Sequence, residues 1–158
     1  MKGYDRIFGI GPAGLIISLI LLALAFILKG RFHGLVIFKD IMPRIIILII
    51  ASCSAVAIII WSFISLPVHE RGKGVCNKGI YKYLRHPLYS AFLSMFNIGF
   101  ALYLNNLIFI AWAILLHPLW NMLVISEEKL MINEYGDKYI LYAEKTGRFI
   151  PKLKLLSG

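Results

Sequence analysis

A basic, glycine-rich stretch from His69 to His86 is the segment of this sequence best suited to bind an anion. Its 18 residues include five Lys or Arg residues, three glycines and two tyrosines. It ends at Pro87, which can begin a helix, and backbone N–H groups at a helix start attract negative charge. Membrane proteins also keep positively charged loops of this kind on the cytoplasmic side. Composition alone therefore leaves two interpretations open, an anion site and a topological signal.

A second polar group lies in the apolar region that follows this loop. His117, Asn121 and Glu128 are spaced at i, i+4 and i+11, which places them on one stripe of a helix. Asn97, on the preceding apolar segment, can extend this polar lining. For His117 alone, hydrogen bonding between helices is the favoured interpretation. The stripe as a whole, which ends in two carboxylates, favours a site, so we take His117 and Asn121 as candidate substrate-binding residues.

The carboxylates are Glu127 and Glu128, at the point where the apolar sequence ends. Adjacent helical residues do not share a face, so one glutamate can face inward while the other faces outward. Two glutamates at this position can equally be solvated charges on a helix that leaves a membrane. The periodicity of the polar stripe favours Glu128 as the inward-facing residue.

Two other patterns predict no chemistry. Gly9, Gly11 and Gly14 match the GxGxxG dinucleotide motif, but that motif requires a preceding strand and an acidic residue about 20 positions later. Neither is present, so we interpret the glycines as positions of close helix packing. Cys53 and Cys76 form no CxxC pair and no disulfide framework, and we expect no metal site.

The composition is that of a membrane protein. Hydrophobic residues make up 59% of the 158 residues and charged residues only 16%, whereas soluble domains have roughly 45–50% and 25%. Disorder is excluded because it requires low hydrophobicity. The net charge of +9 comes from basic residues that flank apolar runs. This placement favours anionic lipid headgroups or an anionic substrate or cofactor over nucleic acid.

Three charge-free stretches predict an all-α protein with four transmembrane helices. The longest has 40 residues, too many for one membrane crossing, and Asn105-Asn106 divides it into two arms. In lipid, the backbone N–H and C=O groups of such segments must bond to one another, and a helix achieves this within a single segment. The predicted helices are Ile7–Leu28, Ile45–Val68, Pro87–Leu104 and Leu107–Ser126.

The sequence after Ser126 predicts a polar helical tail. Leu130–Glu134 and Lys138–Lys145 form its two helical segments, with a turn at Gly136 and an end at Thr146-Gly147. With four crossings, the side that carries both termini and the 69–86 loop has 13 Lys and Arg residues, against 4 on the opposite side. The positive-inside rule then places both termini, the tail and this loop in the cytoplasm.

Four segments, in order, resemble the isoprenylcysteine carboxyl methyltransferase family, a group of integral-membrane enzymes that includes phospholipid N-methyltransferases. The resemblance covers about half of the chain, from Lys73 to Pro151. Its most specific part is the G-x-Y-x-x-x-R-H-P-x-Y element, followed downstream by a pair of glutamates. The segments are Gly79–Tyr89, Glu127-Glu128, Tyr135–Tyr139 and Arg148–Pro151.

This resemblance implies methyl transfer from S-adenosylmethionine, with S-adenosylhomocysteine as product and no Rossmann domain. It implies one membrane domain over residues 1–158, in which residues 1–68 supply two generic helices and residues 69–158 supply the cofactor-binding and catalytic half. The first four of the cofactor residues that it implies match the family by position rather than by type. These residues are Lys73, Gly74, Val75, Cys76, Tyr81, His86, Pro87, Leu88, Tyr89 and Glu127, and the catalytic candidates are Arg85 and Glu128.

One departure from the family bears on the acceptor. Carboxyl methyltransferases of this family carry an arginine one helical turn before the glutamate that the alignment matches to Glu127, and here that residue is Leu123. The leading hypothesis is therefore methyl transfer to a small lipophilic acceptor within the membrane. The alternatives are a phospholipid amine N-methyltransferase and a non-enzymatic membrane protein, such as a transporter subunit or scaffold.

Overall fold

Four apolar helices, each long enough to cross a bilayer, form the body of the molecule. The structure is a computed structural model that describes residues 9–31 and 36–152. Large apolar side chains cover the outer surface of the first two helices, as expected where helices face lipid rather than water. The all-α, four-helix prediction is confirmed. The helices are α1 (Gly11–Lys29), α2 (Ile41–Ser65), α3 (Pro87–Leu104) and α4 (Leu107–Tyr135).

Helix α2 begins four residues earlier than the prediction and includes a charged residue, Arg44. The Arg44 guanidinium donates hydrogen bonds from Nε and Nη2 to the carbonyl oxygen of Tyr103, at 2.9 and 2.5 Å. Tyr103 lies in the last turn of α3, where carbonyl groups lack a partner within the helix. The guanidinium therefore supplies hydrogen-bond donors to a carbonyl group at the end of the neighbouring helix α3. The predicted start of the first helix, at Ile7, lies outside the described residues.

Helix α4 is longer than the prediction. It runs through Glu127 and Glu128 to Tyr135, so the expected separate segment Leu130–Glu134 is its last part. The prediction ended the helix at Ser126 because the sequence becomes charged there. The helix continues because Glu128 is buried and paired with cations from other segments. It ends at Gly136, where φ is 53°, and the predicted turn there is confirmed.

The tail beyond this turn forms α5 (Asp137–Lys145), close to the predicted segment. At the opposite end of the bundle, Asn105 has a left-handed conformation and Asn106 caps α4, accepting a hydrogen bond from the Ile108 amide at 3.0 Å. The Asn105 side chain also accepts from the amide of Phe38 at 2.8 Å. The α1–α2 and α3–α4 connections therefore lie at one end of the bundle, and the 66–86 segment and α5 lie at the other.

The core joins α1 to α4, while α2 packs mainly against α3. Trp120 of α4 is 1% exposed, and its indole N–H donates to the Ser18 hydroxyl of α1 at 3.0 Å. A Cβ atom on Gly14 would lie 2.7 Å from the Trp120 ring. The interpretation of the glycine pattern as close helix packing is confirmed at this position.

We expect Gly14→Ala to destabilise the protein by about 1–3 kcal/mol, since the added methyl group overlaps a fully buried indole. Thermal unfolding in detergent measures this effect. The matched control is Ala13→Leu, which enlarges the neighbouring, exposed residue of α1 and leaves the melting temperature within a degree or two of wild type. Equal melting temperatures for Gly14→Ala and wild type would contradict this packing.

Candidate active site

A short parallel pairing joins the segment before α3 to the segment after α5. The amide of Gly147 donates to the carbonyl of Tyr83 at 3.0 Å, and the amide of Arg85 donates to the carbonyl of Gly147 at 2.8 Å. The Ser90 hydroxyl adds a bond to the carbonyl of Phe149 at 2.6 Å. The tail is thus held against the first turn of α3, and Arg148 is placed beside His86.

Glu128 is the centre of a buried ion cluster. Its carboxylate accepts from Arg85 Nε at 2.8 Å and from Arg148 Nη2 and Nε at 2.5 and 3.1 Å, and it lies 3.3 Å from His86 Nε2. The Arg148 contact is bidentate, the strongest geometry for an arginine–carboxylate pair. Only 8% of Glu128 is exposed. Three segments distant in the sequence therefore meet at one carboxylate.

The predicted polar stripe on α4 is brought together only in part. Arg148 Nη1 donates to Asn121 Oδ1 at 2.9 Å, so Asn121 is linked to Glu128 through this arginine. His117 accepts a hydrogen bond from the Asn121 side chain through its backbone carbonyl, at 3.0 Å. Asn97 is fully buried in α3. None of His117, Asn121 and Asn97 lines the cavity that holds most of the predicted cofactor residues, which we call the main cavity.

That main cavity has a volume of about 570 Å³ and lies at the end of the bundle that carries the 66–86 segment and α5. This size is within the range of small-molecule sites. Of the ten predicted cofactor residues, nine line it, and Lys73 lines a neighbouring cavity instead. Arg85 also lines the main cavity, whereas Glu128 does not. The nine residues are Gly74, Val75, Cys76, Tyr81, His86, Pro87, Leu88, Tyr89 and Glu127.

An aromatic stack forms one wall of the main cavity. The His86 and Tyr89 rings are nearly parallel, with centroids 5.4 Å apart, and Tyr89 packs against Trp120 at 4.9 Å. The Tyr89 hydroxyl donates to Glu127 Oε2 at 3.2 Å. The Glu127 carboxylate also lies so close to Gly9 that a Cβ there would be 2.6 Å from Oε1. Glu127 thus faces the cavity, and its neighbour Glu128 faces the ion cluster.

Charges of both signs line the cavity. Glu127 supplies a carboxylate, and Arg71 supplies a guanidinium that lies 4.8 Å from the centroid of the Phe63 ring. The Arg85 charge is already paired with Glu128. Charged groups of both signs, on different elements, therefore line the main cavity.

Buried tyrosines complete the polar part of the wall. The Tyr81 and Ser62 hydroxyls are 2.9 Å apart, and the Tyr142 hydroxyl donates to the Tyr81 carbonyl at 2.8 Å. Burial raises the pKa of both Tyr81 and Tyr142 above its usual value. Both phenols are therefore neutral over the physiological range and act as hydrogen-bonding groups, not as bases.

Sequence reasoning missed several cavity residues. The prediction treated residues 1–68 as generic helices, yet Gly9, Gly11, Pro12 and Leu15 from the start of α1 line the cavity, as do Phe63 and Leu66 at the end of α2. The glycine pattern at positions 9–14 was the available signal for the α1 contribution. Arg148, which the prediction did not assign to the site, lies within the Arg148–Pro151 segment of the family resemblance.

The four apolar helices define a multi-pass membrane protein. The pairing of the segment before α3 with the tail and the cavity lined by charges of both signs place a small-molecule site at one end of its bundle. A family model described as phospholipid methyltransferase matches residues 44–138, more than half of the chain. The chain belongs to this phospholipid methyltransferase family and is a membrane methyltransferase. No individual curated protein matches it closely enough to count as a relative.

We expect Glu128→Gln to cost roughly 3–5 kcal/mol of folding stability, because it leaves two partly buried arginines without their counter-charge. Thermal unfolding in detergent tests this. Glu127→Gln is the matched control: the substitution and the helix are the same, and the amide oxygen can still accept from Tyr89. Its cost is about 1 kcal/mol or less. Equal losses of stability in the two variants would contradict the central role of Glu128.

Proposed function

We propose that the protein binds S-adenosylmethionine in the main cavity and transfers its methyl group to a small lipophilic acceptor that enters from the bilayer. The observation that carries this proposal is the presence of a carboxylate, a guanidinium and an aromatic stack in one cavity of a phospholipid methyltransferase family member. The proposal includes the orientation predicted from the basic residues, with the cavity at the cytoplasmic end of the bundle.

The residues of the cavity fit the chemistry of the cofactor. Its amino-acid part carries an ammonium and a carboxylate, for which Glu127 and Arg71 are complementary partners. The flat His86–Tyr89 stack offers an apolar surface for an adenine ring. The ribose hydroxyls can donate to Glu127. A cavity with charges of one sign only would lack one of these partners.

When bound, S-adenosylmethionine would supply a methyl group on a positively charged sulfur. The acceptor attacks the methyl carbon in line, and the sulfur leaves as the neutral thioether of S-adenosylhomocysteine. The protein contributes orientation and exclusion of water to such a reaction. Leu15, Phe63 and Leu66 supply the apolar walls that exclude water. Glu128 is occupied by two arginines, so we assign it a positioning role, in which it holds His86 and Arg85 at the cavity, and not a role as a base.

The walls of the cavity support an acceptor that arrives from the lipid. Leu15 of α1 and Phe63 of α2 line the cavity, and more than two fifths of the surface of each is exposed. Since α1 packs on α4 and α2 packs on α3, the cavity lies between the two helix pairs. A lipophilic molecule can therefore pass from the bilayer between α1 and α2. Leu123 offers no charge to an acceptor carboxylate.

We expect S-adenosylhomocysteine to bind the detergent-purified protein and Glu127→Ala to weaken that binding roughly tenfold or more, the effect of losing one charge-assisted hydrogen bond. Isothermal titration calorimetry measures both affinities. Glu144→Ala removes an exposed carboxylate outside the cavity and leaves the affinity unchanged. Binding of NADPH in place of S-adenosylhomocysteine, or no binding by a folded protein, would refute the cofactor assignment.

We expect protein in vesicles of total membrane lipid to transfer a labelled methyl group from S-adenosylmethionine into material that partitions into organic solvent. Thin-layer chromatography then separates methylated phosphatidylethanolamine from other lipophilic products, and an added prenylcysteine tests a carboxylate acceptor. At a limiting concentration of S-adenosylmethionine, Glu127→Ala lowers the label roughly tenfold and Glu144→Ala retains it. Intact cofactor binding with label only in water-soluble products would rule out a lipophilic acceptor.

A further inference from the structure

A second cavity, of about 730 Å³, lies on the other side of the 73–76 loop from the main cavity. The two share Gly74, Val75 and Tyr142 as common wall residues. The second cavity differs sharply in charge, because four lysines and no Asp or Glu line it. We call it the lysine cavity, and its charged residues are Lys73, Lys82, Lys138 and Lys145.

The four lysines of the lysine cavity form no ion pair with a carboxylate of the described residues, 9–31 and 36–152. By contrast, the nearby Lys152 donates to the carbonyls of Ala143 and Glu144. Four ammonium groups around one space repel one another. A bound anion would offset that repulsion.

Neutral hydrogen-bond donors accompany the lysines. The exposed Asn77 lines the cavity and carries a side-chain amide. Gly74 lines it too, and a Cβ atom on this glycine would meet no heavy atom within 4 Å, so its backbone is open to a ligand. Ammonium, amide and backbone N–H groups together suit an anion with several acceptor oxygens, as in a phosphate ester.

Exposed apolar side chains around the lysine cavity place it at the level of lipid headgroups. Leu141 lines the cavity and is 56% exposed, and Tyr83, next to Lys82, is 54% exposed. Helix α5 carries the exposed Ile140 and Leu141 beside Lys138 and Lys145, a pattern typical of helices that lie at a membrane surface. Basic pockets in this position bind anionic lipid headgroups.

We propose that the lysine cavity binds a phosphate ester, presented either by the headgroup of an anionic phospholipid or by a soluble phosphate compound. This site is separate from the one assigned to the methyl donor and does not depend on that assignment. A ligand held by Lys82 and Lys138 would also contact the 73–76 loop from the side opposite the main cavity.

The test uses the full chain in neutral detergent, with dihexanoyl phosphatidylglycerol as the titrated probe. We expect one saturable site whose affinity falls roughly 25-fold in Lys82→Ala/Lys138→Ala, about fivefold for each lysine removed. The matched control is Lys78→Ala/Lys129→Ala. It removes the same charge from two exposed lysines outside the cavity, and we expect the affinity to stay within about threefold of wild type. A thermal unfolding measurement on both double variants checks that each is folded.

Competition separates the two sources of the phosphate. If glycerol 3-phosphate displaces the probe only at far higher concentration, the lipid headgroup is the ligand; displacement at equal concentration assigns the site to soluble phosphates. Equal loss of affinity in both double variants would show that the probe responds to the overall positive charge of the surface and not to the cavity. No loss in either variant would show that the probe binds elsewhere. Each of these last two results overturns the proposal. S-adenosylhomocysteine affinity, measured in parallel, reports the main cavity independently.

Discussion

One buried carboxylate, Glu128, determines how the end of this helix bundle is built. A charge in a low-dielectric environment must be paired and hydrogen-bonded or it destabilises the fold. Its partners, Arg85 and Arg148, come from the segment before α3 and from the segment after α5. The same cluster reaches His86, whose ring forms the cavity wall with Tyr89. The shape of the main cavity therefore depends on a carboxylate that does not itself line it.

The adjacent glutamates divide two tasks because successive residues of a helix point about 100° apart. Glu128 turns toward the tail and is saturated by cations, so it has little capacity left for a ligand. Glu127 turns toward α1 and has a single side-chain hydrogen bond in the described structure, from Tyr89. One residue thus stabilises the site, and the other is available to a bound molecule.

The sequence predicts those parts of the structure that depend on local pattern. Apolar run length gives the four helices, and Asn105-Asn106 gives the turn between α3 and α4. The G-x-Y-x-x-x-R-H-P-x-Y element gives six of the residues that line the main cavity. It fails where the partner is distant. The extension of α4 depends on Arg85, 43 residues before Glu128, and on Arg148, 20 residues after it. The periodicity of a short stretch of sequence carries no information about ion pairs between residues so far apart.

The first helix is a second example of the same limit. The glycines near its start are interpretable as packing positions, but the atoms that approach Gly9 and Gly14, in Glu127 and Trp120, lie more than 100 residues away in the sequence. Close contact between α1 and α4 brings Gly9 beside the Glu127 carboxylate and makes an apparently generic helix part of the cavity. Small residues that let helices approach are common in membranes. Here they also bring a charged side chain into contact with the start of α1, and a bulkier residue at either glycine would move the carboxylate or the aromatic stack.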